Sequence, residues 1–387
     1  MGTAVKKHIH QHHHGHEIAE KLFAFLKKNA VLCIATFAAF ITACIVLPDK
    51  EYLGYFDFKT LTCLFCVLAV VCALRNISFF TMLARKIVTL FKNTRASVLA
   101  LVYITFLGSM LIANDMALLT FLPLGYFVLS STGKQKYMAF TFIMQNIAAN
   151  LGGMLTPFGN PQNLYLYTKF NIPTGEFVAT MLPPFCISVA LITACCLLFV
   201  KKEPLVISGE GIKLPKVRTC IYCVLFILSI VIVFRFIHYA VGLIVVPLAL
   251  LFLDRNALKK VDYGLLLTFV MFFIFAGNMA RIPAVKTLFE TLLSKNVLLF
   301  SALSCQVISN VPSAILLSQF TQNWQSLLVG VNIGGTGTLI SSLASLITFR
   351  EYTKHNVGKT GKYILLFSVF NFAFLGILTL IEYFILF

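Results

Sequence analysis

Asn150-Leu151-Gly152-Gly153-Met154-Leu155-Thr156-Pro157-Phe158-Gly159-Asn160-Pro161-Gln162-Asn163 is flanked by apolar sequence on both sides, yet it does not run as one uninterrupted helix. Pro157 and Pro161 each remove a backbone donor and restrict the residue before them, and Gly159 admits dihedrals that other residues avoid. A related string recurs later as Asn332-Ile333-Gly334-Gly335-Thr336-Gly337-Thr338. Two apolar helices broken at matching places decide the fold.

What precedes each break also matches. Phe56-Asp57-Phe58 opens an apolar helix that ends at Arg75-Asn76, and Val261-Asp262-Tyr263 opens another that ends at Gly277-Asn278, shortly before Arg281. Amphipathic segments follow at 78–94 and 282–294. Next comes an apolar stretch interrupted at an asparagine, Ala113-Asn114-Asp115 in one copy and Ser309-Asn310-Val311-Pro312 in the other. Each reads as a helical hairpin with the asparagine at its tip. Repeated units of this kind locate a carrier's site. The chain divides into a leader (1–29), a first transmembrane helix (30–56), repeat 1 (57–200), a cytoplasmic linker (201–218), scaffold helices (219–260) and repeat 2 (261–387).

Hydrophobic residues make up 59% of the 387 positions against 12% charged, and the mean hydropathy is +0.90. The solvent is therefore a bilayer. Spans are predicted at 31–47, 60–74, 177–200, 219–237, 240–253, 263–277 and 363–386, with the hairpins and broken helices between them. The net charge of +17 then has a topological meaning. With the N-terminus cytoplasmic, 24 of the 31 Lys and Arg residues fall inside and 7 outside, as the positive-inside rule requires. That argues against nucleic acid as a partner and for a multi-pass cell-membrane protein. Under this assignment Asp57 starts outside and Asp262 inside, so the second copy is inverted. Arg95 and Lys134 flank the first hairpin on the same side. The expected fold is an all-α polytopic membrane protein of inverted repeats, each with a re-entrant helical hairpin and a broken transmembrane helix.

Inside hydrocarbon every main-chain amide and carbonyl must be paired, so unwound chain survives only where it is buried or lines a cavity. Each break also exposes helix ends, whose N-termini suit anions and whose free carbonyls suit cations. The side chains there are oxygen and amide groups that ligate sodium and hold a carboxylate. The candidate binding residues are Asn114, Asp115, Asn150, Thr156, Pro157, Gly159, Asn160, Gln162, Asn163, Ser309, Asn310, Pro312, Ser313, Asn332, Gly334, Gly335, Thr336 and Thr338. Asp115 is the only acidic residue in the span of these breaks; it reads as a cation or proton site. The alternative is a helix cap, with Asn114 or Asp115 receiving the amides of Ala117 and Leu118. No cationic side chain is expected to face the site.

The eleven cysteines are scattered through apolar segments like small buried hydrophobes. His8, His10, His12, His13, His14 and His16 in the leader form a weak candidate for metal binding. His238 and His355 are isolated and have no nucleophile partner, so an enzyme is not expected.

From residue 30 to 387 the chain resembles the ion transporter superfamily, in the branch whose citrate-transporter-like domain is shared with divalent anion/sodium symporters, arsenite permeases and sodium/proton antiporters. Anion symporters of that family carry Ser-Asn-Thr at two hairpin tips. Here the tips read Ala113-Asn114-Asp115 and Ser309-Asn310-Val311, with each asparagine kept. The resemblance implies sodium near Asn114 and Asn310, an anion between them, a homodimer, and hairpins that move with the broken helices past a scaffold. The Asn-Asp tip and the Thr156 to Asn163 string look more like the arsenite and antiporter branches. The expected function is ion-coupled uptake, by sodium or proton, of a small anion such as a di- or tricarboxylate through alternating access. No cofactor beyond the coupling ion is expected. Sodium/proton antiport through Asp115 and arsenite efflux are the alternatives.

Overall fold

The computed structural model describes residues 29–205 and 214–386. The leader histidines and part of the linker lie outside the described residues. The helices, in chain order, are α1 (Ala30–Ile45), α2 (Phe58–Asn76), α3 (Phe79–Val88), α4 (Thr94–Ile112), α5 (Asn114–Ser131), α6 (Met138–Gly152), α7 (Pro161–Lys169), α8 (Thr174–Phe199), α9 (Lys216–Val233), α10 (Tyr239–Leu253), α11 (Arg255–Lys259), α12 (Tyr263–Arg281), α13 (Pro283–Lys295), α14 (Val297–Ile308), α15 (Asn310–Leu317), α16 (Trp324–Ile333), α17 (Leu343–His355) and α18 (Thr360–Leu386). No strand occurs among the described residues. The expected all-α polytopic fold is what the chain adopts.

Six of these helices are long and apolar enough to cross a membrane: α2, α4, α8, α9, α12 and α18. Five of the seven spans read from the sequence are among them. The other two, α1 and α10, have 16 and 15 residues, short of the ~20 that a straight span needs. The sixth, α4, is the first arm of a hairpin whose second arm, α5, turns back on it at Ala113. Exposed surface on the long helices is apolar: Val224 and Ile227 on α9 and Leu365, Val369 and Leu380 on α18 all face outward. Such a surface belongs in hydrocarbon.

Local sequence sets the same starts in both copies. Asp57 accepts a hydrogen bond from the Thr60 amide and Asp262 from the Leu265 amide, each at 2.9 Å, so each aspartate caps the 19-residue helix that follows. Asn93 and Asn296 cap the first hairpin arms α4 and α14 in the same way.

The described chain forms two compact units. One runs to Phe56 and takes in Asp262–Ile282, so α1 packs on α12. There Arg281 holds Asp49 through two guanidinium nitrogens at 2.6 and 3.0 Å, and the Tyr55 ring lies so close to Gly277 that a Cβ would come within 2.5 Å of it. The 49–55 segment and the end of α12 therefore share a side, as the charge count proposed for Lys50 and Arg281.

The other unit holds Asp57–Val261 and the chain from Pro283 onward, including both hairpins and both broken helices. At the base of the first hairpin, Lys134 and Lys136 reach the two carboxylate oxygens of Glu203 at 2.7 and 2.6 Å. Tyr137 donates to the same carboxylate, the Thr94 amide donates to the Glu203 carbonyl, and Arg95 donates to the Val200 carbonyl. Both ends of the hairpin are thus clamped to one short segment, on the same side.

The ammonium groups of Lys134 and Lys136 hold the Glu203 carboxyl down to about 2, from an ordinary 4.5. A carboxyl depressed by folding stabilises the native state above its unfolded value and loses that contribution as pH falls through the folded one. Glu203→Gln is expected to lower the Tm of the detergent-solubilised protein at neutral pH. The gap from the wild type should stay constant down to 4.5 and close between 4.5 and 2; a pH-independent gap would show that the clamp is not electrostatic.

Candidate functional site

The two hairpin tips have one geometry. Ala113 (φ 67, ψ 152) and Ser309 (φ 74, ψ 160) each sit at positive φ immediately before the asparagine. L-residues adopt that conformation only where the surroundings hold it. Asn114 then folds its Oδ1 onto the Asp115 amide, and Asn310 folds its Oδ1 onto the Val311 amide, both at 2.9 Å. Of the cap expected at the first tip, Asn114 receives the Asp115 amide, and the Ala117 amide goes to the Ala113 carbonyl. Asn114 and Asn310 are buried, and Asp115 is half-buried in the first turn of α5.

Glycines let each broken helix lie against its own hairpin. A Cβ on Gly152 would fall 2.3 Å from the Phe106 carbonyl and 2.7 Å from Ser109 Oγ; one on Gly334 would fall 2.9 Å from the Ala302 Cα and 2.8 Å from Cys305 Sγ. Ser109 and Cys305 hold the same place relative to their tip asparagines, and so do Phe106 and Ala302. Beyond the glycines, Thr156 Oγ1 donates to the Met110 carbonyl and Thr338 Oγ1 to the Gln306 carbonyl. Met110 and Gln306 again match in position.

The break asparagines carry each copy into the other. Asn332 Oδ1 accepts from Asn160 Nδ2 at 3.1 Å and from Gln162 Nε2 at 3.2 Å, while its Nδ2 donates to Asn163 Oδ1 and to the Leu328 carbonyl. Asn150 Oδ1 accepts from Asn114 Nδ2 at 3.1 Å and from Ser342 Oγ at 2.8 Å. Main-chain carbonyls fix which end of the Asn160, Asn163 and Asn332 amides is nitrogen. Asn160 Nδ2 also donates to the Asn150 carbonyl, and Asn163 Nδ2 donates to those of Gly153, Met154 and Thr156. Three buried atoms are left over without a partner: the donor Asn150 Nδ2 and the acceptors Asn160 Oδ1 and Gln162 Oε1. A buried polar group left unpaired costs ~1–3 kcal/mol, so these atoms mark where a ligand has most to contribute.

Other predicted residues serve the frame. Ser313 pairs with Ser304 across the second hairpin at 2.8 Å, Thr336 bonds back to the Ile333 carbonyl, and Ser309 donates to the Ser341 carbonyl. Gly335 lies against Asn310, whose Nδ2 would stand 3.3 Å from a Cβ there. Gly159 is closed in by the Gly153 carbonyl and Thr156 Oγ1, and Pro157 and Pro312 are buried in the first break and in the opening turn of α15.

Several residues were missed. Gln306 donates to the carbonyls of Ala302, Gly334 and Thr336 and accepts from the Thr338 amide. Ser341 bonds the Gly335 and Thr338 carbonyls, and its own carbonyl receives the Asn310 amide. The second break thus continues to Ser342, past the last of the Gly-Thr run. The alignment of the copies held the signal for Gln306, four residues before the tip. One cation comes nearer than the sequence suggested: Arg75 at the end of α2 reaches Met116 Sδ at 3.8 Å, one residue beyond Asp115. Among the described residues no cluster of three His, Cys, Asp or Glu side chains is placed to hold a metal.

The sequence profile of the citrate transporter family matches residues 22–326. That span takes in both tips and the first break, and the Asn332 to Ser342 segment lies beyond it. An uncharacterized transporter of Methanocaldococcus jannaschii is 33% identical over 322 residues, which is 83% of this chain and 88% of the relative. The inner membrane protein YbiR of Escherichia coli K12 is 31% identical over 280 residues, 70% of this chain and 74% of the relative.

Asn332→Ala deprives Asn160, Gln162 and Asn163 of their shared partner. With ~1–3 kcal/mol for each group left unsatisfied, the substitution is expected to destabilise the protein by roughly 3 kcal/mol or more, seen as a lower Tm in detergent. Asn332→Asp, which keeps the accepting oxygen, should recover part of that loss. Equal losses in the two variants would show that the shared oxygen is not what matters.

Proposed function

The chain belongs to the citrate transporter family, and we propose that within this family of membrane transporters it carries a small anion, such as a di- or tricarboxylate, coupled to sodium or protons by alternating access. The observation that supports this reading most is the residue of unpaired groups at the centre: one amide donor beside two amide acceptors, all buried, where the two copies interlock. Asn150 Nδ2 suits a carboxylate oxygen, and the N-terminal ends of α5 and α15 add positive helix-end potential. Asn160 Oδ1 and Gln162 Oε1 suit a sodium ion, a hard cation that takes oxygen ligands. A bound sodium ion supplies positive charge beside the anion. Arg75 adds a second source of positive potential at the first tip.

In this reading the second copy is inverted, the hairpins and broken helices move as one body, and residues 78–94 and 282–294 are the arms that connect them to the rest. The protein is a homodimer of the cell membrane with its N-terminus in the cytoplasm. Asp115, half-buried in the first turn of α5, favours one second reading, sodium/proton antiport with that carboxylate as the shared ligand. The symport reading predicts substrate-dependent uptake and the antiport reading predicts none.

Purified protein in proteoliposomes is expected to accumulate labelled citrate or succinate under an imposed sodium or proton gradient. Asn114→Ala and Asn310→Ala should each cut that uptake at least about tenfold, the factor given by ~1.4 kcal/mol of lost contact. Absence of uptake with any organic acid, together with a sodium-driven pH change that Asp115→Asn abolishes, would replace symport with antiport. Arsenite resistance conferred on sensitive cells would replace both with efflux.

A further inference from the structure

The inner face of α18 is a stripe of Tyr363, Phe367, Phe370, Asn371, Phe374, Leu378 and Glu382, and all of them are buried. Two members of this stripe are polar. Asn371 is satisfied: its Oδ1 accepts from Asn146 and its Nδ2 donates to the Phe367 carbonyl. Glu382 is only 1% exposed, and both of its carboxyl oxygens are buried without a hydrogen-bond partner. One turn earlier, Thr379 Oγ1 is a second buried oxygen without a partner.

Among the described residues no cation pairs with this carboxyl. The helices packed along α18 are α6, α8, α14 and α16, and their ionisable side chains are Glu176, exposed in the first turn of α8, and the thiols of Cys186, Cys195, Cys196 and Cys305. α17, which carries Arg350, Glu351, Lys354 and His355, meets α18 through Phe349 and Tyr352 on Tyr363, near the opposite end from Glu382. On α18 itself Lys362 stands ~30 Å away along the axis at 1.5 Å per residue, and Tyr383 faces outward. A bare carboxylate in such a place costs many kcal/mol, and the group takes a proton instead. Glutamate at a position where the helix pattern calls for an apolar residue is expensive inside a membrane and is a functional feature by default. Its place one turn before the end of α18, at the opposite end from Lys362, gives it a short path to water.

We infer that Glu382 is a proton-binding site of this protein: a buried carboxylic acid that carries its proton at neutral pH and exchanges it with the aqueous phase at the far end of α18. The site lies apart from the interlocked asparagines and does not depend on the identity of the transported anion.

Infrared difference spectroscopy on the full chain in nanodiscs, titrated from neutral to alkaline buffer, reads this directly. The expected result is the carbonyl band of a protonated carboxylic acid that disappears on alkalinisation, is missing in Glu382→Gln and persists in Asp115→Asn. Thermal unfolding gives a second measurement that tolerates weak signals. Glu382→Leu should be at least as stable as the wild type at neutral pH and should gain on it as pH rises, because only the wild type must then bury a charge. Absence of the band, its survival in Glu382→Gln, or a wild type and Glu382→Leu that keep a constant difference in Tm across pH would each overturn the assignment.

Discussion

Main-chain amides and carbonyls released by four helix interruptions, inside a body whose outer surface is hydrocarbon, have to find partners within the chain. Nearly every polar side chain at the site answers that demand. Gln306 takes up three carbonyls around the second break, Asn163 three around the first, and Ser341 two more. Amide side chains are the economical solution, since one group offers donors and acceptors without the desolvation penalty of a charge. This explains a site rich in Asn, Gln, Ser and Thr in which Asp115 is the sole carboxylate at a tip.

From that demand follows the coupling between the two copies. A broken helix that satisfied only itself would leave the copies independent. Here Asn332 is held by three side chains of the first break, and Asn150 receives Ser342 of the second. The tips differ in how they are tied down. Asn310 is anchored through its main-chain amide to the Ser341 carbonyl, whereas Asn114 is joined to Asn150 by one side-chain bond. The first tip carries Asp115 and lies beside Arg75, which reaches Met116 Sδ.

Most of the fold was legible in the sequence because it rests on signals with a single physical meaning. Runs of apolar residues meant spans, and Asp57 and Asp262 meant helix starts. Asn114 and Asn310 before a helix meant tips. One span proved shorter than its apolar run suggested, since helical hydrogen bonding in α1 stops at Ile45, while α10 matches the stretch read for it to within one residue. At the site, the residues legible in the sequence were those in the breaks, where Pro and Gly announce themselves. Gln306 was legible only through its place in the alignment of the two copies, and Ser341 and the Arg75 contact were not legible: a polar residue just past a break, or at the end of an apolar helix, gains its meaning only from the carbonyl or thioether that tertiary packing brings to it. The cap at Asn114 was misread for a related reason. The positive φ of Ala113 lets its own carbonyl take the Ala117 amide, a backbone choice that residue type does not reveal.

Glu382 shows the same limit from the other side. By sequence it is one acid near the end of a long apolar helix, and such residues usually face water or headgroups. Packing turns it inward, in line with Leu378, and leaves its oxygens without a hydrogen-bond partner among the described residues. Hydroxyls of Tyr222 and Tyr363 are buried without partners too, but an unmet hydroxyl is a modest cost beside an unmet carboxylate. A helix that needed only to pack would gain by exchanging this glutamate for leucine, because apolar replacement of an unpaired buried charge is commonly neutral or stabilising. The carboxyl is therefore better explained by what it binds than by what it holds together, and the one ligand that needs neither a second protein group nor any more space is a proton.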